Sequence, residues 1–175
     1  MEIRIINEDT KMDITLKNEP FALFGRMIPS FTNEQWDYKI CLFPDNETFE
    51  MCFPDEDYDF DSMKDSTVFI GAYDEKSCVG LAVLQDYYFK YMYLNDLKIS
   101  SSYRRQGVGK ALIEKAKEIA VSKGYKGIYT IGQDNNLAAC KFYIRSGFRI
   151  GGFDNHVYLG TNQEGKADII FYLDC

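Results

Sequence analysis

Basic charge, histidine and long apolar runs are all scarce in this chain of 175 residues, and each shortage removes a class of function. Lys and Arg number 20 against 27 Asp and Glu, giving a formal net charge of −7. Such a surface repels a polyanion, so no nucleic-acid partner is expected. No apolar stretch approaches the roughly 18 residues of a membrane helix, and Met1-Glu2-Ile3-Arg4 does not open a basic-then-apolar leader. No membrane partner is expected, and the localisation expected is cytoplasmic. One histidine, His156, and five cysteines, Cys41, Cys52, Cys78, Cys140 and Cys175, form no Cys-x-x-Cys pair. An odd number without a pairing motif argues for reduced thiols and against a zinc site, so no metal is expected. Only four prolines are present, and no Gly/Ser/Pro linker or repeat divides the chain, which predicts one domain over 1–175.

What is abundant is apolar and aromatic: 46% hydrophobic and 15% aromatic residues, enough for one substantial core. Within that background, 95–110 (Asn-Asp-Leu-Lys-Ile-Ser-Ser-Ser-Tyr-Arg-Arg-Gln-Gly-Val-Gly-Lys) carries the most chemistry. Leu94, Leu97 and Ile99 among polar neighbours suggest a strand. Val108, Ala111, Leu112, Ala116 and Ile119 then recur on one helical face that ends at Lys123-Gly124. Gly107 and Gly109 therefore stand at a helix N-terminus, where unpaired N–H groups and the helix dipole favour an anion. Arg104, Arg105 and Lys110 add full positive charges, so the expected ligand is a phosphate-bearing cofactor.

Two phosphate motifs fail against this stretch. A P-loop would need glycine where Arg104 stands and a hydroxyl where Ala111 stands; a dinucleotide fingerprint would need glycine at Leu112. The remaining pattern, Arg104-Arg105-Gln106-Gly107-Val108-Gly109, resembles the pyrophosphate loop of the GNAT superfamily of acetyl-CoA-dependent N-acyltransferases. A second segment, Asn136-Leu137-Ala138-Ala139-Cys140-Lys141-Phe142-Tyr143 followed by Ser146-Gly147-Phe148, resembles that superfamily's other signature. Asp134-Asn135-Asn136 supplies N-cap residues, Ala139 and Tyr143 share a helix face, and Gly147 suits a left-handed cap. Together with Glu19-Pro20-Phe21, Gly25-Arg26-Met27-Ile28-Pro29 and Gly147-Phe148-Arg149-Ile150-Gly151, these segments look like the streptothricin (nourseothricin) acetyltransferases, over about Lys17 to Leu173. Members of that family often carry Glu-Asp before the loop; this chain has Asn95-Asp96, leaving Asp96 as the charged residue there.

A coarse pass predicts strands near Glu2–Asn7, Trp36–Phe43, Thr67–Tyr73, Cys78–Gln85, Met92–Ser100, Gly127–Ile131, Phe148–Phe153 and Asp168–Leu173. Helices are predicted after Gly107 and after Asn136, and Pro20–Ser30 reads as helical or irregular. This order implies an α/β (α+β) chain with a mixed, mostly antiparallel sheet and helices on its faces. The resemblance adds the GNAT acyl-CoA N-acyltransferase fold, with a splayed sheet that admits the pantetheine arm between the strands ending at Ser100 and near Ile131.

Residues 45–65 hold nine acids and one base, Lys64, with Phe49, Met51, Phe53, Tyr58, Phe60 and Met63 interleaved. A solvated acidic loop is the plain reading; an aromatic, acidic wall for a polycation is the functional one, with Tyr58, Asp59 and Asp61 as substrate-binding residues. The resemblance implies acetyl-CoA held by Leu97, Lys98, Ile99, Arg104, Arg105, Gln106, Gly107, Val108, Gly109, Lys110, Asn136 and Ala139. It implies Tyr143 as the acid beside the sulfur and a β-lysine amine of a cationic antibiotic as acceptor. The amine's proton must be taken by a base, which Asp96, Asp59 or Asp61 can supply, in a direct transfer within a ternary complex. Cys140 as a covalent nucleophile, an acceptor such as a polyamine, aminoglycoside or protein N-terminus, and a non-catalytic acyl-CoA-binding module remain alternatives. The sequence leaves a homodimer open.

Overall fold

The computed structural model describes residues 1–87 and 89–175. In chain order its strands are β1 (Glu2–Ile5), β2 (Phe21–Leu23), β3 (Gly25–Thr32), β4 (Gln35–Leu42), β5 (Phe49–Met51), β6 (Thr67–Asp74), β7 (Ser77–Gln85), β8 (Tyr91–Ile99), β9 (Gly127–Gln133), β10 (Arg149–Asp154) and β11 (Asp168–Asp174). The α-helices are α1 (Phe60–Met63), α2 (Val108–Ser122) and α3 (Leu137–Arg145), and a 3₁₀ helix covers Glu8–Thr15. Two compact units result, one of 1–19, 52–128 and 174–175, the other of 20–51 and 129–173.

The first unit is built on an antiparallel run in the order β1-β6-β7-β8. Its central strands are buried on both faces, which is why Val79–Leu84 reads as a continuous apolar run and not as an alternation. One face receives α2, whose Val108, Leu112, Ile113, Ala116 and Ala120 are at most 3% exposed. Gly80 on β7 permits that contact: a Cβ there would lie 3.2–3.3 Å from Leu112, Ala72 and Val108. The opposite face gathers Ile6, Ile14, Phe69, Leu81 and Val83, with Leu16, Tyr58, Phe60 and Met63 packed against them. Thus the acidic segment is tied down by its own aromatic residues. The hairpin between β6 and β7 turns at Glu75, whose φ is +52°, as its polar turn residues predict.

The second unit contains β10 and most of β9 and β11, in the order β9-β11-β10, with two small ribbons and α3. Pro20–Ser30, expected to be helical or irregular, is instead β2 and most of β3. Gly25 and Pro29 weaken the strand signal locally, but eight residue pairs between β3 and β4 override it. The connecting residues Asn33 and Glu34 both have positive φ, 51° and 61°, the backbone of a tight two-residue hairpin. Gly25 is required by proximity, since a Cβ there would stand 2.6 Å from the Cys41 carbonyl oxygen. Gly147 has φ +92° and ends α3 as predicted.

Candidate active site

In the first unit β8 runs through a short 3₁₀ turn, Ser101–Tyr103, into α2. Side chains brace this connection from within. The Arg104 guanidinium donates to the Ile99 carbonyl (3.0 Å) and to the Glu19 carbonyl (3.4 Å). The Glu19 carboxylate accepts from the Ser101 N–H at 2.8 Å, a bond that, with the nearby Arg104 charge, holds it below the usual carboxylate range. Tyr103 donates to Asp74 (2.8 Å), and the Gln106 amide donates to the Ser102 carbonyl (2.6 Å). Arg105 sits at φ +60° and Gly107 at φ +86°. Gly107 is the N-cap of α2, and no side chain caps the helix there. A Cβ on Gly107 would meet nothing within 4 Å, so the approach to the first N–H groups is open. Arg105 and Lys110 are exposed beside it.

A second group of residues is built on β8 itself, from Asn95 to Lys98. The pairing of β7 with β8 slips between Val83 and Leu84, so Asn95 is an extra residue on β8. Such a bulge re-aims consecutive side chains, and both Asn95 and Asp96 reach the Tyr58 hydroxyl. The Asn95 amide donates to it at 3.1 Å, and the hydroxyl donates to Asp96 at 3.3 Å. The Lys98 ammonium bridges Asp96 (3.1 Å) and Glu56, and lies 5.8 Å from the Tyr58 ring centre. Asn18 reaches the same Glu56 carboxylate at 3.1–3.2 Å.

Burial sets the electrostatics. The Asp96 and Lys98 side chains are only 15% and 9% exposed, while Glu56 keeps 31%. Burial pushes the Asp96 carboxyl above its ordinary value, and the Glu56 charge adds to that, against the opposing pull of Lys98. Burial and the Asp96 and Glu56 charges also raise the Tyr58 phenol. For Lys98, burial would lower the ammonium, but its carboxylate partners outweigh that and raise it. Burial disfavours the ionised Glu56 too, yet its bonds from Lys98 and Asn18 bring it below the usual range. The cluster is therefore a partly desolvated carboxylate pair with a resident cation.

The predicted site residues outside the loop separate into three settings. Asp96, Lys98 and Tyr58 meet directly. Lys98, expected among the cofactor contacts, places its side chain in the acidic cluster. Asp59 instead caps α1, accepting from the Asp61 N–H at 3.1 Å, and exposed Asp61 pairs with Lys11 (3.1 Å) and Lys64 (3.0 Å). In the second unit Asn136 is the N-cap of α3, its side-chain oxygen accepting from the Ala139 N–H at 3.2 Å. Tyr143 is 8% exposed, with the rings of Phe148 and Phe171 both at 5.3 Å. Cys140 is fully buried; its thiol donates to the Gln133 carbonyl and burial pushes it up to about 12. A thiol so far from ionising is a poor nucleophile. His156 is exposed, with its ring beside the Asn155 amide oxygen.

Glu19 and Glu56 are the residues that sequence reasoning missed as parts of these arrangements. Glu19 stood in a recognised segment, but nothing in its spacing points to Ser101. Glu56 was one acid among nine, and only its place two residues before Tyr58 distinguishes it.

Comparison with known proteins falls on the same segments. The model of the acetyltransferase (GNAT) family matches residues 28–148. Streptothricin acetyltransferase A of Bacillus subtilis (strain 168) is 32% identical over 162 residues, which cover 91% of this chain and 92% of the relative. A streptothricin acetyltransferase of Escherichia coli is 35% identical over 114 residues, 65% of each chain. Among solved structures, a Bacillus anthracis (strain Ames) protein assigned provisionally as a streptothricin acetyltransferase, in complex with acetyl coenzyme A, superposes with a TM-score of 0.89. It is 29% identical and 99% of each chain is covered. Nourseothricin acetyltransferase, at 20% identity, shares the fold with a TM-score of 0.80 over 99% of this chain and 98% of its own.

Proposed function

The chain belongs to the acetyltransferase (GNAT) family and is an acetyl-CoA-dependent acetyltransferase related to the streptothricin acetyltransferases, and on that premise we propose that its acceptor is an amine of a cationic small molecule, the β-lysine moiety of streptothricin. The observation that carries this reading is the Asp96 cluster: a desolvated carboxylate beside a tyrosine, on the strand that leads into the phosphate-type loop. The 32% identity over 91% of the chain supports the choice of antibiotic among cationic amines. We take 1–175 as one catalytic domain, because the family match runs through segments of both units.

Acetyl-CoA supplies the acetyl group as a thioester, and the α2 N-terminus fits its pyrophosphate: an uncapped first turn, an open Gly107 and the Arg105 and Lys110 charges. Arg104 contributes by fixing the loop through Ile99 and Glu19. Gln106, Val108 and Gly109 complete that turn, and Asn136 and Ala139 are assigned to the pantetheine arm through the family's motif. At pH 7 an alkyl ammonium of pKa near 10.4 is neutral in only about one molecule in 2,500, so the acceptor needs a base. Asp96 fills that role, taking the proton within hydrogen-bond reach or through one water. A backbone N–H in Leu97–Ile99 stabilises the negative charge that develops on the carbonyl oxygen. Tyr143 returns a proton to the departing sulfur. Tyr58 and the field of Asp59 and Asp61 receive the other positive charges of the substrate.

Release of free thiol from acetyl-CoA, measured with streptothricin, spermidine, an aminoglycoside and a peptide N-terminus, tests the acceptor. Streptothricin should give the largest kcat/KM; a higher value for any other amine overturns the assignment. Tyr143→Phe should lower kcat by about 10² or more, and a rate within twofold of wild type removes the general-acid role. Arg105→Glu with Lys110→Glu should raise KM for acetyl-CoA several-fold, whereas an unchanged value would sink the loop assignment.

A further inference from the structure

A cation lodged against the candidate base needs a reason, because Lys98 competes for the carboxylate that must accept the acceptor's proton. Its ammonium touches Asp96 Oδ2 at 3.1 Å and Glu56 Oε2, and its side chain is 9% exposed. Without Lys98, two carboxylates would share one partly desolvated site, and such a pair does not readily stay doubly ionised. The neutral form of one of them would be favoured more strongly. Asp96, the more buried of the two, would be that one. With Lys98 between them, the ammonium favours the ionised form of both carboxylates, against the burial that disfavours it. The bridge also anchors the segment carrying Glu56 and Tyr58 to β8, so that the Tyr58 hydroxyl reaches Asp96.

We propose that Lys98 is a positioning residue for acetyl transfer: its ammonium, clamped between Glu56 and Asp96, keeps Asp96 ionised and aimed, and it does so without touching the cofactor. This rests on Asp96 being the base. The charged and titratable groups that face Asp96 are Lys98 on its own strand, and Glu56 and Tyr58 from the acidic segment. Across the β7 ladder Asp96 stands opposite Val83, which does not titrate. Glu56 and Lys98 therefore act on Asp96 with opposite signs, and that opposition can be measured.

The experiment is the pH dependence of kcat/KM for acetyl transfer to streptothricin in wild type, Lys98→Met, Lys98→Arg, Glu56→Gln and Asp96→Asn, with acetyl-CoA saturating. Lys98→Met should move the acid limb to higher pH by about half a unit or more, and Lys98→Arg should restore it. Glu56→Gln should move the limb to lower pH, which keeps the test alive if Lys98→Met does not fold. KM for acetyl-CoA should stay within about twofold throughout, since no cofactor contact is removed. Limbs unmoved by either charge change, while Asp96→Asn abolishes turnover, overturn the role of Lys98 and leave the base assignment standing. Full turnover by Asp96→Asn overturns both. A raised KM for acetyl-CoA in Lys98→Met, with an unmoved limb, would return Lys98 to the cofactor site.

Discussion

Two lysine–carboxylate clusters stand in the same unit, and the contrast between them separates chemistry from solvation. Lys11, Lys64, Glu8 and Asp61 form ion pairs of 2.7–3.8 Å with side chains 35–59% exposed. Lys98 pairs with Asp96 (3.1 Å) and with Glu56, and these three side chains are 9–31% exposed. In the first cluster water screens each charge, and three of its groups move further into their ionised forms: the Asp61 carboxyl down, and the Lys11 and Lys64 ammoniums up. In the second, burial dominates and pushes Asp96 the other way, toward the neutral acid. The residue types are the same; desolvation sets the direction in which Asp96 moves.

The widest gap between the clusters should appear in stability. Lys98→Met leaves two carboxylates facing one another and should cost about 1–3 kcal/mol, below the roughly 3–5 kcal/mol of a fully buried pair because Glu56 keeps 31% of its exposure. Lys64→Met should leave Tm unchanged within error. Equal losses in thermal melts would erase the distinction between the clusters.

The next effect lies in the pH dependence of stability. Glu56 is held below its ordinary range, so its contribution is present above that range and is lost as pH falls through its lowered folded value. The stability gap between wild type and Glu56→Gln should therefore close as the solution is acidified. Asp96 has the opposite sign. Its raised carboxyl favours the fold at low pH and loses that contribution as pH rises through the folded value, so wild type should gain on Asp96→Asn as pH falls. Urea melts at several pH values check both slopes, and parallel curves would contradict the burial argument. The smallest effect is assigned to the exposed acids: Asp59→Asn with Asp61→Asn should raise KM for streptothricin a few-fold at low salt and almost not at all at 0.5 M salt. A salt-independent rise would indicate direct contact.

Most elements were legible where periodicity and turn chemistry agreed, as in α2, the β6–β7 hairpin and α3 with its Asn136 cap. β2 and β3 were not, because Gly25 and Pro29 interrupt the local pattern and the support comes from β5 and β4, partners that local pattern cannot supply. Asp96, Tyr58 and the glycine loop were visible in the sequence as residue types next to recognisable motifs. The Lys98–Glu56 contact joins positions 42 residues apart and depends on how the acidic segment lies on the sheet. No spacing rule reports such a contact. The work of Glu19 on Ser101, across 82 residues, was hidden for the same reason.

The most direct test of Asp96 as the base is the streptothricin-dependent rate of thiol release at saturating acetyl-CoA and neutral pH, in wild type and in Asp96→Asn. A fall in kcat of about 10² or more, with KM for acetyl-CoA little changed, is the predicted result. A variant that keeps kcat within twofold of wild type would contradict it.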